Sequence, residues 1–438
     1  MFRTITSARG TFTAYYHVLI DESDEGGIGD NLKTSQLTIV SMATRVRSYS
    51  KINLGLAIGP VRGDGFHGLT TLYQTIGLHD LVSVSAKRLS GSETRIELTT
   101  NDERVPTDAR NTCWKMIEGC LRRLGVTAEV RIHIDKRLPV QGGMGAGSAN
   151  AAAALIGLER ELGVALPGPE RFKLAAEVGS DVPLFLLGGA VLGLGRGEQV
   201  VPMQDLPKTW CVVAVPQIGV STPAAFRAWD ALVAKEGIDS TEEPTSRSSS
   251  VEETNTGILR SAQDDDGLGG GLVALPHTGL TSRSNPDRLN ELSLAYSSLF
   301  ANTGDSRPGT SGILRAQEPD WNQGDTLKNL AENTLLALVR TGIGNDGLHN
   351  DFEDVVFPQY PSLRSTKRQL MGSDSDGSVV SRPAIYAALS GSGSALFGLY
   401  RSEADAKAAH QRVQSSGVEA LLTETLPRAE YWERMFAE

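Results

Sequence analysis

Leu138-Pro-Val-Gln-Gly-Gly-Met-Gly-Ala-Gly-Ser-Ala-Asn-Ala-Ala-Ala-Ala154 lies between a stretch that reads as a strand and one that reads as a helix. Upstream, Val130, Ile132 and Ile134 alternate with Arg131, His133 and Asp135, the period of a half-buried strand. Downstream, Ala151 to Leu162 reads as a helix. Between them Gly142, Gly143, Gly145 and Gly147 let the backbone bend tightly, approach an anion and turn several N–H groups inward. The helix N-terminus behind them adds a positive partial charge. The stretch reads as a phosphate cradle, and on its own also as a glycine turn that packs a helix closely on a strand. It fits neither the P-loop pattern ending in Gly-Lys-Ser/Thr nor a strict Gly-x-Gly-x-x-Gly fingerprint. A phosphoryl-transfer site built on it therefore needs cationic charge from elsewhere in the chain.

Two further segments offer that charge. Ser50-Lys-Ile-Asn-Leu54 is followed by Asp64-Gly-Phe-His67, and Gly179-Ser-Asp-Val-Pro-Leu-Phe185 lies downstream of the cradle. A carboxylate beside an ammonium stays ionised and can orient or deprotonate a hydroxyl, while the ammonium offsets charge on a transferred phosphoryl group. On the residues alone, Lys51 and Asp181 read either as such a pair or as a partly exposed lysine and a helix-capping aspartate.

Working outward, Leu81 to Ser85, Thr94 to Leu98, Ala190 to Leu194, Trp210 to Val215 and Ser394 to Tyr400 read as strands. Arg171 to Val178 and Leu327 to Val339 read as helices. Strands and helices mix without a regular βαβ period, which predicts an α+β fold. With 438 residues, 40% of them apolar, the chain can bury one large core or two ordinary ones, and nothing in it looks membrane-spanning. Cys113, Cys120 and Cys211 cannot form a disulfide framework, fit no common zinc spacing and read as reduced, buried thiols. The N-terminus has no basic segment leading into an apolar one, which makes the cytoplasm the expected compartment.

The net charge of −10 is local: residues 236–325 hold 15 acidic and 6 basic residues, so the remainder is nearly neutral. Blocks of serine, aspartate and glycine there predict a solvated, disordered acidic insert, with near-copies at Gly257–Gln263 and Gly312–Gln317 as a local duplication. Residues 1–41 show no periodicity, Met42 offers an alternative start, and Ser365 to Arg382 reads as a loop. No basic patch or stripe suits the chain to nucleic acid.

Taken in order, Ser50-Lys-Ile-Asn-Leu54 with Asp64-Gly-Phe-His67, Gly142-Gly-Met-Gly-Ala-Gly-Ser-Ala-Asn150, Gly179-Ser-Asp-Val-Pro183 and Leu389-Ser-Gly-Ser-Gly-Ser394 resemble the GHMP kinase superfamily. Within it, the chain most resembles the kinases of 4-diphosphocytidyl-2-C-methyl-D-erythritol, of the non-mevalonate isoprenoid pathway. The resemblance covers about residues 45–230 and 326–425 and leaves out the insert.

It implies a two-lobed GHMP kinase fold with an active-site cleft between an ATP-binding lobe over 42–205 and a substrate lobe over 206–425. The second lobe would be interrupted by the insert at about 236–325 and the loop at about 365–382, and 1–41 would be an unstructured extension. Lys51 and Asp181 match the catalytic pair, Asp181 as base on the 2-hydroxyl. Pro139, Gly142, Gly143, Gly145, Gly147, Ser148, Ala149 and Asn150 match the ATP site, with Mg²⁺ as the accompanying ion and its ligands open. Asn53, Phe66, His67 and Phe226 match the substrate contacts, with the two phenyl rings bracketing a cytosine. A base held between two rings gains roughly 1–3 kcal/mol per stack. The implied partner is a small molecule carrying cytidine diphosphate, and the implied assembly a monomer or homodimer.

Two departures stand out. Tyr49-Ser50 replaces the usual Pro-Ala before the lysine, and Ala149 replaces the second of two serines after the loop glycines, removing one hydroxyl from the expected ATP site. Two other readings remain: a sister kinase acting on mevalonate, homoserine or a sugar, which leaves Asp64 to His67 without a purpose, and a nucleotide-binding protein without catalysis, which leaves Lys51 and Asp181 without one.

Overall fold

The computed structural model describes residues 5–7, 10–12, 43–91, 93–140, 142–239, 349–372 and 383–438. Two units result, Met1–Ser41 and Met42–Glu438. In the first, β1 (Ile5–Ser7) pairs antiparallel with β2 (Gly10–Phe12), placing the β-branched Thr6 opposite Thr11. The rest of residues 1–41 lies outside the described residues.

In the second unit, seven strands form one sheet in the order β13-β3-β4-β6-β5, with β7 and then β8 branching from β4. These strands are β3 (Thr44–Val61), β4 (His67–Arg88), β5 (Arg95–Thr100), β6 (Ala128–Asp135), β7 (Ala190–Gly195), β8 (Gln199–Pro202) and β13 (Phe436–Ala437). Only β5 and β6 run parallel. β6 shows the alternation read from its sequence, Val130, Ile132 and Ile134 being buried. β3 does not alternate, because it is buried continuously from Ser48 to Ile58. One face meets α2 (Ala146–Leu162), whose Gly157 comes so close that an added Cβ would lie 2.8 Å from Val84 Cγ2. The other face packs Ile52 and Leu54 into a cluster with Cys211, Val213 and Phe397 of a second sheet.

That second sheet is antiparallel and four-stranded, ordered β10-β11-β9-β12. It comprises β9 (Trp210–Val215), β10 (Tyr386–Leu389), β11 (Leu396–Tyr400) and β12 (Glu419–Glu424). A third cluster fills the side covered by α4 (Thr222–Asp239), α5 (Glu353–Gln359), α6 (Pro361–Met371) and α7 (Glu403–Ser415). α1 (Thr112–Leu124) and α3 (Gly168–Val178) pack beside α2, and α8 (Arg428–Glu433) leads into β13. α1 is capped at both ends: Asn111 accepts the Cys113 N–H, and the left-handed Gly125 closes the last turn. Cys113, Cys120 and Cys211 are buried and unpaired, and burial first, then Glu159, pushes the Cys120 thiol up to about 12.

The expected loop at 365–382 is corrected in its first half, which is the end of α6. Leu363, Thr366 and Leu370 recur on one helical face and are buried, and Gly372 ends the helix at φ +108. α4 runs through Asp239, while the rest of the insert, both near-copies and the helix read at Leu327–Val339 lie outside the described residues.

One buried carboxylate ties β4 to the glycine-rich stretch. Asp80 is fully buried and accepts the backbone N–H groups of Arg137 and Leu138, each at 2.8 Å. Its other oxygen takes the Lys136 ammonium at 2.8 Å and Asn150 Nδ2 at 3.0 Å. Lys136 is itself buried, so Asp80→Ala leaves an uncompensated ammonium and a loss of about 3–5 kcal/mol is expected. Urea denaturation reads this directly; an unchanged midpoint would contradict it.

Candidate active site

A register shift in the β3–β4 ladder falls between Tyr49 and Lys51, after which Lys51 stands opposite Thr75 and Asn53 opposite Tyr73. Lys51 and Asn53 therefore point to the same side of β3, toward the glycine loop. The Lys51 backbone N–H donates to Met144 O at 3.1 Å, and its ammonium donates to Asn53 Oδ1 at 2.6 Å and Gly143 O at 2.8 Å. A third contact, at 3.5 Å, is the carboxylate of Asp181. Lys51 is only 3% exposed, whereas Asp181 is 30% exposed, so the pair has a buried cationic end and an open anionic one. Burial pushes the Lys51 pKa below the ordinary lysine range, and the charge and hydrogen bond of Asp181 oppose that shift.

The other Asp181 oxygen accepts from Tyr73 OH at 3.0 Å. Burial, then the Asp181 charge, raises the Tyr73 phenol well above its usual value, which keeps it a donor. Asp181 follows α3 and precedes a 3-10 turn at Pro183–Leu186. Gly145 makes room for the lysine: an added Cβ would sit 2.9 Å from Phe185 and 3.2 Å from Lys51 Cε, at φ +69.

Gly145 is also the N-cap of α2 and offers no side-chain cap, so the first-turn N–H groups are left for another acceptor. Nothing stands within 3.8 Å of where a Gly147 Cβ would be, while Ser148 Oγ lies near Gly179 on the approach to Asp181. This edge has the bare backbone and helix polarity an anion needs. Pro139 packs against Gly142, and Gln141 lies outside the described residues.

Two expected ATP contacts are corrected at the side-chain level. Ala149 is buried in the core beside α1, and its N–H donates to Gly145 O. A hydroxyl at this position would face apolar side chains, so the serine-to-alanine departure takes no oxygen from the cradle. Asn150 is buried too, accepting from Ser48 Oγ at 2.6 Å and donating to Asp80.

The turn between β10 and β11 closes over the loop. Ser390 Oγ donates to Gly143 O at 3.0 Å, and Ala395 N donates to Gly142 O at 3.2 Å. Asn350 Nδ2 holds the turn through Leu389 O and Gly391 O, both at 2.8 Å.

A second group of residues surrounds His67. Its Nδ1 lies 2.9 Å from Gly59 O, which can only accept, so Nδ1 carries a proton; its Nε2 lies 3.2 Å from Asp230 Oδ1 on α4. The imidazole stacks on Phe226, ring centroids 4.9 Å apart and planes 7° apart, and Phe352 meets Phe226 edge-on. Phe66 is 54% exposed, with the Arg196 guanidinium 5.0 Å from its ring centroid. The expectation of facing phenyl rings is corrected accordingly: His67 covers Phe226 and Arg196 covers Phe66.

The family model for the GHMP kinases N terminal domain matches residues 111–189, and that for GHMP kinases C terminal matches 328–419. Over these two segments the chain is similar to the GHMP kinases. A 4-diphosphocytidyl-2-C-methyl-D-erythritol kinase of Rhodococcus jostii (strain RHA1) is 42% identical over 198 residues, 45% of this chain and 62% of that one. The chain thus spans about three-fifths of the length of the curated relatives it matches. A crystal structure of 4-(cytidine 5'-diphospho)-2C-methyl-D-erythritol kinase superposes with a TM-score of 0.52 at 22% identity, covering 87% of this chain and 99% of that one. A homoserine kinase from Cytophaga hutchinsonii gives 0.51 at 16% identity, covering 89% and 96%. At these identities the two structures speak for the GHMP kinase fold alone.

The departure at Tyr49-Ser50 is absorbed by packing: Tyr49 lies against His79 and Tyr431, and Ser50 Oγ donates to Leu78 O. Tyr73, Asn350 and Arg196 were not singled out from the sequence. The signal for Tyr73 was its parity with Thr71 on a strand facing Lys51 and Asn53, and that for Arg196 was the run Gly195-Arg-Gly-Glu198.

Proposed function

We propose that the protein transfers the γ-phosphoryl group of ATP to the 2-hydroxyl of 4-diphosphocytidyl-2-C-methyl-D-erythritol, yielding the 2-phosphate and ADP. The observation that carries this is the Lys51–Asp181 pair beside the uncapped N-terminus of α2. Asp181 accepts the hydroxyl proton as that oxygen bonds to the γ-phosphorus, and the bond to ADP breaks with its electrons leaving on ADP. Lys51 keeps Asp181 ionised and offsets the charge on the moving phosphoryl group, and Tyr73 and Asn53 fix the two ends of the pair. Gly142 to Ser148 and the α2 N-terminus hold the ATP phosphates. His67, backed by Phe226, receives the cytosine, with Phe66 at the mouth.

Among the described residues no three His, Cys, Asp or Glu side chains gather at a metal-binding spacing. Mg²⁺ carried in on the nucleotide keeps several of its waters and needs few protein ligands. Ser148 is the hydroxyl we assign to it, and bound Mg²⁺ would neutralise phosphate charge. No helix among the described residues is long and apolar enough to cross a membrane. The cytoplasm is the compartment we propose.

The test is ADP formation by the purified chain with ATP, Mg²⁺ and the cytidylated substrate, against mevalonate and homoserine as competing acceptors. Phosphorylation of either competitor in preference, or no ADP from a folded protein, overturns the reading. His67→Ala should raise KM for the cytidylated substrate about 10-fold by removing one base contact, and leave KM for ATP in place. Equal changes in both would count against His67 as a base contact.

A further inference from the structure

The acceptor proposed above carries two linked phosphates between its base and its reacting alcohol. A site that takes the base at His67 and the alcohol at Asp181 therefore needs a cation between them. Lys51 is not available for this, because its three ammonium hydrogens are directed at Asn53, Gly143 and Asp181 and it is buried.

Arg196 lies on the turn between β7 and β8, and that turn runs from the Phe66 ring toward Tyr73 and Asp181. On one side its guanidinium stands 5.0 Å from the Phe66 ring centroid. On the other, its neighbour Gly197 backs onto Tyr73, the donor to Asp181: an added Cβ would lie 2.5 Å from Tyr73 OH and 3.9 Å from Asp181 Oδ1. Gly195 and Gly197 both hold positive φ, +75 and +99, so the backbone presenting the arginine is set by two positions other side chains rarely tolerate. Glu198 Oε2 accepts the Arg196 backbone N–H at 2.6 Å and fastens the turn.

The guanidinium itself is lightly engaged. Its one carboxylate contact among the described residues is Glu198 at 3.9 Å, beyond hydrogen-bond distance, and it is 32% exposed. Its N–H fork is therefore free to meet a phosphate in two places, which a lysine cannot do. Arg62 pairs with Asp64 at 3.4 Å within the Phe66 turn.

We propose that Arg196 recognises the diphosphate of the acceptor substrate, an inference that rests on the function proposed above. The experiment compares CDP and cytidine as ligands of wild type, Arg196→Gln and Arg196→Lys, by competition against turnover and by calorimetry. Arg196→Gln should weaken CDP about 30-fold, leave cytidine unchanged and raise KM for the cytidylated substrate with kcat and KM for ATP near wild type. Arg196→Lys, which keeps the charge without the fork, should fall in between. Equal weakening of CDP and cytidine would mean that Arg196 acts only by supporting Phe66, and no weakening of either would mean that it does not touch the ligand; each overturns the inference. Unaltered variants beside a wild type that turns over the cytidylated substrate refute this inference alone. A wild type that neither turns over that substrate nor binds CDP refutes the function and the inference together.

Discussion

Asp181→Asn is expected to lower kcat by about 10³-fold or more while leaving the fold in place, because it removes the proton acceptor at the open end of the Lys51 pair. The replacement is isosteric, and its side-chain oxygen can still accept from Tyr73 OH, so circular dichroism and urea midpoints should stay close to wild type. KM for ATP should hardly move, since in the proposed reaction Asp181 serves the acceptor alcohol. Lys51 should respond as well: the Asp181 charge opposes the downward shift that burial imposes, so its loss lowers the lysine pKa further. In the wild type the sign is the same. The ammonium is the working form and its pKa lies below the usual lysine range, so turnover should fall at a lower alkaline pH than an exposed lysine would set. A kcat within tenfold of wild type in the asparagine variant would remove Asp181 from the role of base.

The parts of this site that could be read from sequence are those made by backbone. Alternation at Val130, Ile132 and Ile134 located β6, and the glycines after it located the entry to α2, because strand parity and positive φ are local properties. Direction of a side chain on a helix is another matter. Ala149 and Asn150 follow the loop directly, but one helical turn rotates them toward the core and toward Asp80, which depends on where α2 rests on the sheet. The rings around His67 are legible only as residue types, because the partners that meet them, Asp230 and Arg196, come from α4 and the β7–β8 turn. Likewise α6 was hidden by a polar sequence whose three buried positions matter only once β11 and α7 are there to cover them.

That same dependence on distant partners makes Gly143 the most sensitive position in the cradle. Gly143→Ala faces two separable costs. Its φ of +75 is one that alanine adopts only at about 1–2 kcal/mol. Its Cβ would also stand 2.1 Å from Ser390 O and 3.2 Å from Gly393 O, both backbone atoms of the turn between β10 and β11. No rotamer relieves that overlap, so the loop or the turn must shift, adding about 1–3 kcal/mol or more. Such a shift breaks the bond from Ser390 Oγ to Gly143 O and pulls away the carbonyl that receives the Lys51 ammonium. Turnover should therefore fall at least 100-fold even where the chain still folds, since small displacements at a reacting centre carry that cost. Gly125→Ala separates the two terms: its φ is +63, yet nothing lies within 4 Å of the added carbon. It should lose only the conformational 1–2 kcal/mol in urea denaturation and keep its turnover. Equal losses of stability and activity in the two variants would show that the contact between the glycine loop and the Ser390 turn does not hold the lysine in place.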